Sequence, residues 1–351
     1  MDREIIVQGR RIGPNHPPFI VAEMSGNHKG SLQRALKLVG AAAKAGAHAL
    51  KLQTYTADTM TIDFDEREFL VSHSNSPWQG KSLYDLYNEA HTPWEWHKSI
   101  FERCRELGLI CFSTPFDTTA VDFLEELHVP CYKIASFENI DLSLIKRVAS
   151  TGKPLIISSG MASVIELTEA VDTAKAAGCK DLILLKCTSS YPASPVDSNI
   201  LTIPHMRELF ECQIGLSDHT LGIGVAAASV ALGATVIEKH FTLSREEGGV
   251  DAAFSLEPLE LNMLVTETER AWQSMGKIRY GASENEHPSL QFRRSLYVVE
   301  TVEAGQPFSP ENVRVIRPGF GLAPKNLDKI MGKMAKTHIR RGTPLSWDLI
   351  D

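Results

Sequence analysis

The chain has 351 residues, 43% hydrophobic and 23% charged, with a formal net charge of −7 at pH 7 and a pI of about 6.0. That is the composition of a globular protein with ample length for a large core, and its acidic balance offers no basic stripe for a nucleic acid. No apolar run approaches the ~20 residues that cross a bilayer, and residues 1–7 (MDREIIV) are too charged and too short in apolar length for a signal peptide.

The six cysteines, at 104, 111, 131, 179, 187 and 212, include no CxxC pair. A chain of this size needs no disulfide staples, so reduced thiols and a cytoplasmic protein are expected.

Residues 1–18 are polar and end in PNHPP; Ile5, Ile6 and Val7, then Gly9, Arg11 and Ile12, read as a small hairpin. From residue 19 short apolar runs ending in polar residues alternate with amphipathic stretches. The runs lie at 19–23, 49–54, 110–114, 131–136, 154–159, 181–188, 213–218 and 236–242. Between them, 31–45, 93–107, 118–127, 142–150, 164–177, 199–210 and 222–232 carry apolar residues at three- and four-residue spacing, as amphipathic helices do; 258–275 supplies an eighth. Ser31 and Thr118 read as N-caps, and Gly46 and Gly178 stand where a left-handed helix end belongs.

Eight strand-then-helix units in about 250 residues match a (β/α)8 TIM barrel over 19–275. An open, doubly wound sheet would rarely need eight such uniform units. The connection 57–92 is unusually long and contains Met60, Phe64, Trp78, Tyr84 and Tyr87, so it reads as an ordered lid. Residues 276–291 are polar and read as a linker. Beyond it, 292–351 forms a small β-rich domain, with strand-like pieces at 295–300, 313–318, 335–340 and 344–345.

Active sites of such barrels lie at the C-terminal ends of the strands. There the chain has Glu23, Lys51, Gln53, Thr114, Lys133, Ser136, Ser158, Ser189, Tyr191, Ser217, His219, Glu238 and His240. Lysine is costly to bury unpaired, yet Lys51 and Lys133 sit inside apolar strands. Each alone fits a buried ion pair; together, with serines beside them, they fit an anion pocket for phosphate or carboxylate. The serines fit helix caps equally well, and the two roles can coexist. His219 and His240 leave neighbouring parallel strands, so both can face one point, as a divalent metal site needs; two unrelated histidines fit the same spacing. Glu23 reads as an ion-pair partner or a general acid/base, with His28 as an orienting residue. Asp251 lies in a GGVD turn where carboxylates are common.

These pieces in order resemble the sialic acid synthase family across nearly the whole chain: FIVAEMSGNH at 19–28, KLQTY at 51–55, STPFD at 113–117, KIAS at 133–136, SSGM at 158–161, CTSSYP at 187–192, GLSDHT at 215–220 and EKHFT at 238–242. The C-terminal piece resembles that family's antifreeze-like (SAF) domain. Within the family the chain is most similar to the pseudaminic acid synthases, through AEMSGNH, LQTYTADTMT at 52–61, and LYDLY and TPWEWH in the long connection. One departure is Ser189-Ser190, where sialic acid synthases usually carry an asparagine.

The resemblance implies condensation of phosphoenolpyruvate with an open-chain acetamido sugar, releasing phosphate by carbon–oxygen cleavage. It implies a divalent metal, manganese or magnesium, on His219 and His240. Lys51, Lys133, Ser136, Ser158 and Ser217 match phosphoenolpyruvate positions, with Gln53, Thr114, Ser189 and Tyr191 as further contacts. Glu23 matches an acid/base, and Asp251 a residue near metal-bound water or sugar. Arg317 matches an arginine that the SAF domain sends to the sugar in the partner subunit, which implies a domain-swapped homodimer. Two alternatives remain: synthesis of N-acetylneuraminic or legionaminic acid, and a non-catalytic barrel with a binding C-terminal domain.

Overall fold

The computed structural model describes residues 4–72 and 78–351, in two units, 1–276 and 277–351. In the first, β1 (Ile5–Val7) and β2 (Arg10–Ile12) form the expected antiparallel hairpin. Eight strands then close a barrel: β3 (Phe19–Glu23), β4 (Ala49–Thr54), β5 (Ile110–Pro115), β6 (Tyr132–Ile134), β7 (Leu155–Ser158), β8 (Leu182–Cys187), β9 (Gln213–Ser217) and β10 (Val236–His240). All neighbouring pairs are parallel, and β10 closes on β3 with His240 opposite Glu23.

Around the barrel lie α1 (Leu32–Ala45), the short α2 (Ala57–Met60), α3 (Leu83–Ala90), α4 (Trp94–Glu106), α5 (Thr118–Glu126), α6 (Leu142–Ala149), α7 (Val164–Ala176), α8 (Thr202–Phe210), α9 (Gly224–Ala231) and α10 (Pro258–Met275). The amphipathic spacing has its expected consequence: α1 buries Ala35, Leu38, Val39 and Ala42 against the outward strand residues Ile20, Ala22, Leu50 and Leu52. Full burial of a Leu or Val side chain contributes about 1.5–3 kcal/mol. Ser31 caps α1 by accepting from the Arg34 N–H at 3.3 Å. The cap of α5 is not Thr118 but Asp117, whose carboxylate accepts from the Thr119 and Ala120 N–H groups. A carboxylate beside a helix N-terminus gains from the dipole as well as the hydrogen bonds.

Strand alternation decides what faces the barrel axis. Phe19, Val21, Ala49, Ile110, Phe112, Cys131, Ile156, Ile183, Leu185 and Val236 form one interior cluster, joined by Ile5, Val7 and Ile12 from the hairpin, which therefore plugs the bottom. Two residues further along the same inward rows come Glu23, Lys51, Thr114, Lys133, Ser158, Cys187 and Glu238. The polar layer thus lies directly above an apolar floor.

The connection 57–92 is ordered where it is described. It carries α2, an isolated bridge between Leu70 and Ser82, and α3, while 73–77 lie outside the described residues. None of the six cysteines forms a disulfide, and five are buried.

In the second unit β11 (Ser295–Val298) and β12 (Val313–Ile316) pair antiparallel, with a one-turn α11 (Leu327–Ile330) over a core of Leu296, Val298, Phe308, Val313, Ile339 and Leu345. The pieces expected at 335–340 and 344–345 are single bridges, Ala335 to Ile350, Val302 to Ile339 and Tyr297 to Pro344. A proline lacks the N–H that would extend such a ladder. The stretch expected as a plain linker contains a 3-10 helix, Glu284–Phe292, started by a capping box between Ser283 and Glu286.

Candidate active site

The two strand lysines share one charge cluster. Lys51 is 3% exposed and forms an ion pair with Glu23, with Glu238 Oε1 3.6 Å away and Thr114 Oγ1 accepting at 3.3 Å. Lys133 is 2% exposed, donates to Ser158 Oγ at 2.6 Å and to the Ile134 carbonyl at 3.2 Å, and lies 3.8 Å from the same Glu238 oxygen. Two ammonium groups and two carboxylates leave the cluster formally neutral. A pair about 4 Å apart gains about 4 kcal/mol at an effective dielectric near 20, which helps to offset desolvation.

Burial opposes the charge on Lys51, but Glu23 and Glu238 outweigh it and hold its pKa above the ordinary lysine value. Lys133, with a weaker share of carboxylate, is pushed below it by burial. Burial raises Glu23 to about 7 despite the Lys51 ammonium. Glu238 moves the other way: burial favours its neutral form, but Lys133 and Lys51 hold it below the usual carboxylate range. Its Oε2 is buried without a hydrogen-bond partner. The sequence reading places Glu238 at a strand exit but gives it no role. Only barrel closure puts it between lysines from β4 and β6.

Serines line the same end of the barrel. Ser217 donates to Glu238 Oε1 at 3.3 Å, and Ser189 donates to Ser136 Oγ at 2.7 Å. The turn after β7 makes that contact possible. Gly160 has φ +50°, and a Cβ there would lie 2.4 Å from Ser136 Cβ and 3.0 Å from Ser189 Oγ. Ser190 instead donates to the Pro192 carbonyl on the exposed side.

The histidines at the ends of β9 and β10 do converge, with ring centroids 5.3 Å apart. His219 Nδ1 donates to the Thr188 carbonyl at 2.8 Å, which leaves the lone pair of the neutral ring on Nε2. Burial opposes its protonation, but hydrogen bonds to the Cys187 thiol and Thr188 outweigh that and raise its pKa. The same contact draws the Cys187 thiol below its ordinary value against the effect of burial. Cys187 is a residue that sequence reasoning missed; as the last residue of the apolar strand β8 it reads as core.

His240 is held neutral by burial, and its Nδ1 is buried without a hydrogen-bond partner, 4.0 Å from Asp251 Oδ2. Asp251 accepts a hydrogen bond from Ser25, and burial raises its pKa. The turn that carries Asp251 is latched to the long connection by Trp78, whose indole N–H donates to the Val250 carbonyl at 2.9 Å.

Two imidazoles with a buried ring nitrogen left over fit a divalent cation of borderline hardness. Among the described residues no three His, Cys, Asp or Glu side chains form a self-sufficient cage. The pair would leave the remaining positions to water and substrate, as catalytic sites do.

Tyr191 packs between these parts, 4.4 Å from the His219 ring centroid and 5.3 Å from Phe254. Gln53, Ser136, Ser189, Tyr191, His240 and Asp251 share a cavity of roughly 440 Å3, a size suited to a small molecule. His28 stands edge-on to Trp96 with its Nε2 3.3 Å from Thr92 Oγ1. Lys239 and Asp218, also at strand exits, face outward on the alternation and form a buried ion pair at 2.8 Å. Arg317 follows β12 in the second unit. No helix among the described residues is long and apolar enough to cross a membrane.

Known proteins are similar to this chain in sequence and fold. Residues 38–280 match the NeuB family and residues 293–351 the SAF domain. The pseudaminic acid synthase of Campylobacter jejuni is 41% identical over 327 residues, covering 93% of this chain and 95% of that protein. The pseudaminic acid synthase of Helicobacter pylori is 38% identical over 344 residues, covering 95% and 98%. The crystal structure of the N-acetylneuraminic acid (sialic acid) synthetase of Leptospira borgpetersenii, in complex with citrate, superposes with a TM-score of 0.74 at 34% identity, covering 84% of this chain and 97% of that one. The chain therefore belongs to the NeuB family, the sialic acid synthases, with a SAF domain over residues 293–351.

Proposed function

We propose that the barrel mouth condenses phosphoenolpyruvate with open-chain 2,4-diacetamido-2,4,6-trideoxy-L-altrose and water, giving pseudaminic acid and phosphate. The observation that carries this reading is the neutral Glu23–Lys51–Glu238–Lys133 cluster with serine hydroxyls around it. Its two ammonium groups and the hydroxyls beside them supply donors that phosphate and carboxylate groups require. The identity to pseudaminic acid synthases supports the choice of sugar.

In this reading Lys51, Thr114, Lys133, Ser136, Ser158, Ser189 and Ser217 bind the phosphate and carboxylate of phosphoenolpyruvate by charge-assisted hydrogen bonds. Gln53 and Tyr191 are further contacts to phosphoenolpyruvate. His219 and His240 would hold a manganese or magnesium ion, which when bound supplies Lewis-acid polarisation of the aldehyde. Carbon 3 of phosphoenolpyruvate forms the new bond to the aldehyde carbon. Glu238, fixed as a carboxylate, stabilises the positive charge that develops at carbon 2. Glu23, with its pKa raised to about 7, takes the proton from the water that adds there and passes it to the oxygen of the former aldehyde, which becomes a hydroxyl. The adduct then collapses by breaking its carbon–oxygen bond to phosphate. Asp251 holds the water or sugar hydroxyl beside His240. Arg317 binds the acetamido group from the SAF domain of a second subunit in a swapped homodimer, working in the cytoplasm where phosphoenolpyruvate is available.

The test offers the diacetamido sugar and N-acetylmannosamine side by side, with phosphoenolpyruvate and manganese. Phosphate release and a nine-carbon acid from the diacetamido sugar are expected. Turnover of N-acetylmannosamine alone refutes the sugar assignment, and no metal-dependent phosphate release with either sugar refutes the enzyme.

A further inference from the structure

The connection between β4 and α4 carries chemistry that the reaction leaves unexplained. In α3, Leu83, Leu86, Tyr87 and Ala90 stand three, four and seven residues along, which is one face of a helix. A helix in a folded domain ordinarily turns such a stripe to the core. Here all four line the cavity that also contains Ser189, His240 and Asp251. Ser82 caps the helix, accepting from the Asp85 N–H at 3.0 Å. Val71 lines the same cavity and is tied to the helix start by its N–H, which donates to the Lys81 carbonyl at 3.0 Å. Tyr87 stacks edge-on to Tyr55 with centroids 5.8 Å apart, so the stripe is anchored to the barrel rather than floating over it.

Val71, Leu83 and Leu86 offer no hydrogen-bond partner to a ligand. A sugar hydroxyl pressed against them loses water and gains nothing, which is unfavourable. The cavity is not apolar throughout. Glu138 lines it too, and its Oε2 is buried with no partner. A buried orphan acceptor beside an apolar wall fits a ligand with one N–H or O–H donor and one bare methyl group.

Resting on the reaction proposed above, we infer that Val71 and the inner face of α3 form the wall that selects the 6-deoxy end of the acceptor sugar. The methyl group at carbon 6 packs on Val71, Leu83 and Leu86, and a hydroxymethyl group there is disfavoured. A single added hydroxyl in an apolar pocket is discriminated by up to roughly a hundredfold, so the expected preference lies between ten- and a hundredfold.

The experiment uses the full-length protein with manganese and phosphoenolpyruvate. It compares kcat/KM for 2,4-diacetamido-2,4,6-trideoxy-L-altrose with that for the same sugar carrying a 6-hydroxyl. The unsubstituted protein should prefer the deoxy sugar at least tenfold. Leu83→Asn should shrink that ratio toward one by lowering use of the deoxy sugar, with KM for phosphoenolpyruvate unchanged, while Leu83→Met keeps the ratio. Val71→Thr, nearly the same shape and outside the helix, should shrink it even if Leu83→Asn fails to fold. Equal use of both sugars, or a ratio unmoved by Leu83→Asn and Val71→Thr, overturns the wall and leaves the proposed reaction standing. Consumption of neither diacetamido sugar overturns the reaction itself.

Discussion

Replacing Gly160 with alanine should damage the serine-lined end of the barrel more than the fold. Two costs arise at this position. The backbone has φ +50°, a left-handed conformation that costs a residue with a Cβ about 1–2 kcal/mol. The new methyl would also stand 2.4 Å from Ser136 Cβ and 3.1 Å from the Ser136 carbonyl oxygen, where carbon atoms normally rest ~3.5–4.0 Å apart. Ser136 follows a barrel strand and cannot swing aside, so overpacking adds about 1–3 kcal/mol.

Gly152 is the control. Its φ is +73°, and no heavy atom lies within 4 Å of its added Cβ, so Gly152→Ala incurs only the backbone cost. Gly160→Ala should therefore unfold in urea about 1–3 kcal/mol more easily than Gly152→Ala. Relief of the clash displaces the Ser136 and Ser189 hydroxyls, which are 2.7 Å apart. A hydrogen bond to a charged group contributes about 1.5–3 kcal/mol, so phosphoenolpyruvate binding, followed by calorimetry, should weaken roughly ten- to a hundredfold. Equal stability of the two variants with unchanged binding would refute the reasoning.

His240→Ala should abolish metal-dependent turnover with the far-UV circular dichroism intact; activity retained at saturating manganese would remove the ligand assignment. Arg317→Ala should raise KM for the sugar more than that for phosphoenolpyruvate, and equal losses on both would exclude a sugar contact. If that arginine acts on a second subunit, mixing inactive Arg317→Ala and Lys51→Met proteins should restore about a quarter of the dimers' sites to activity; no recovery after verified subunit exchange would exclude the swapped arrangement. Acid should destabilise the barrel through His28 and His97, which burial holds at about 4. Both rings are bonded as neutral imidazoles, with His28 Nδ1 accepting from the Gly30 N–H and His97 bridging Thr54 and the Pro93 carbonyl. The unfolded chain protonates them near 6.5 and the native chain near 4. Their contribution is complete above pH 6.5 and is lost as pH falls toward 4, on the order of 3 kcal/mol each. Urea midpoints between pH 8 and pH 5 should follow this slope, and His97→Gln should flatten it.

The eightfold alternation of apolar runs and amphipathic stretches was enough to read the barrel from residues 19–275. Each run is long enough to be a strand, and each stretch has a single buried stripe. That periodicity is local, so a sequence carries it openly. The polar strand ends were legible for the same reason: Lys51 and Lys133 stand out because ammonium groups are rare in apolar strands. Boundaries were less legible. Asp117, not Thr118, caps α5, because a carboxylate gains more from a helix N-terminus than a hydroxyl does. The expected strands after 335 shrink to single bridges.

What the tertiary structure alone decided is which charges meet. Glu238 lies 187 positions after Lys51 in sequence, and nothing in its own strand marks it as a partner for two lysines. Barrel closure brings it there, since β10 pairs with β3 and every second residue of each strand turns inward. The same rule separates Glu238 from its neighbour Lys239, which faces outward to Asp218. Closure likewise places Cys187 against His219 and turns the apolar face of α3 to the cavity. Side-chain periodicity along one strand is written in the chain; the register between strands far apart in sequence is set by how the sheet twists and closes.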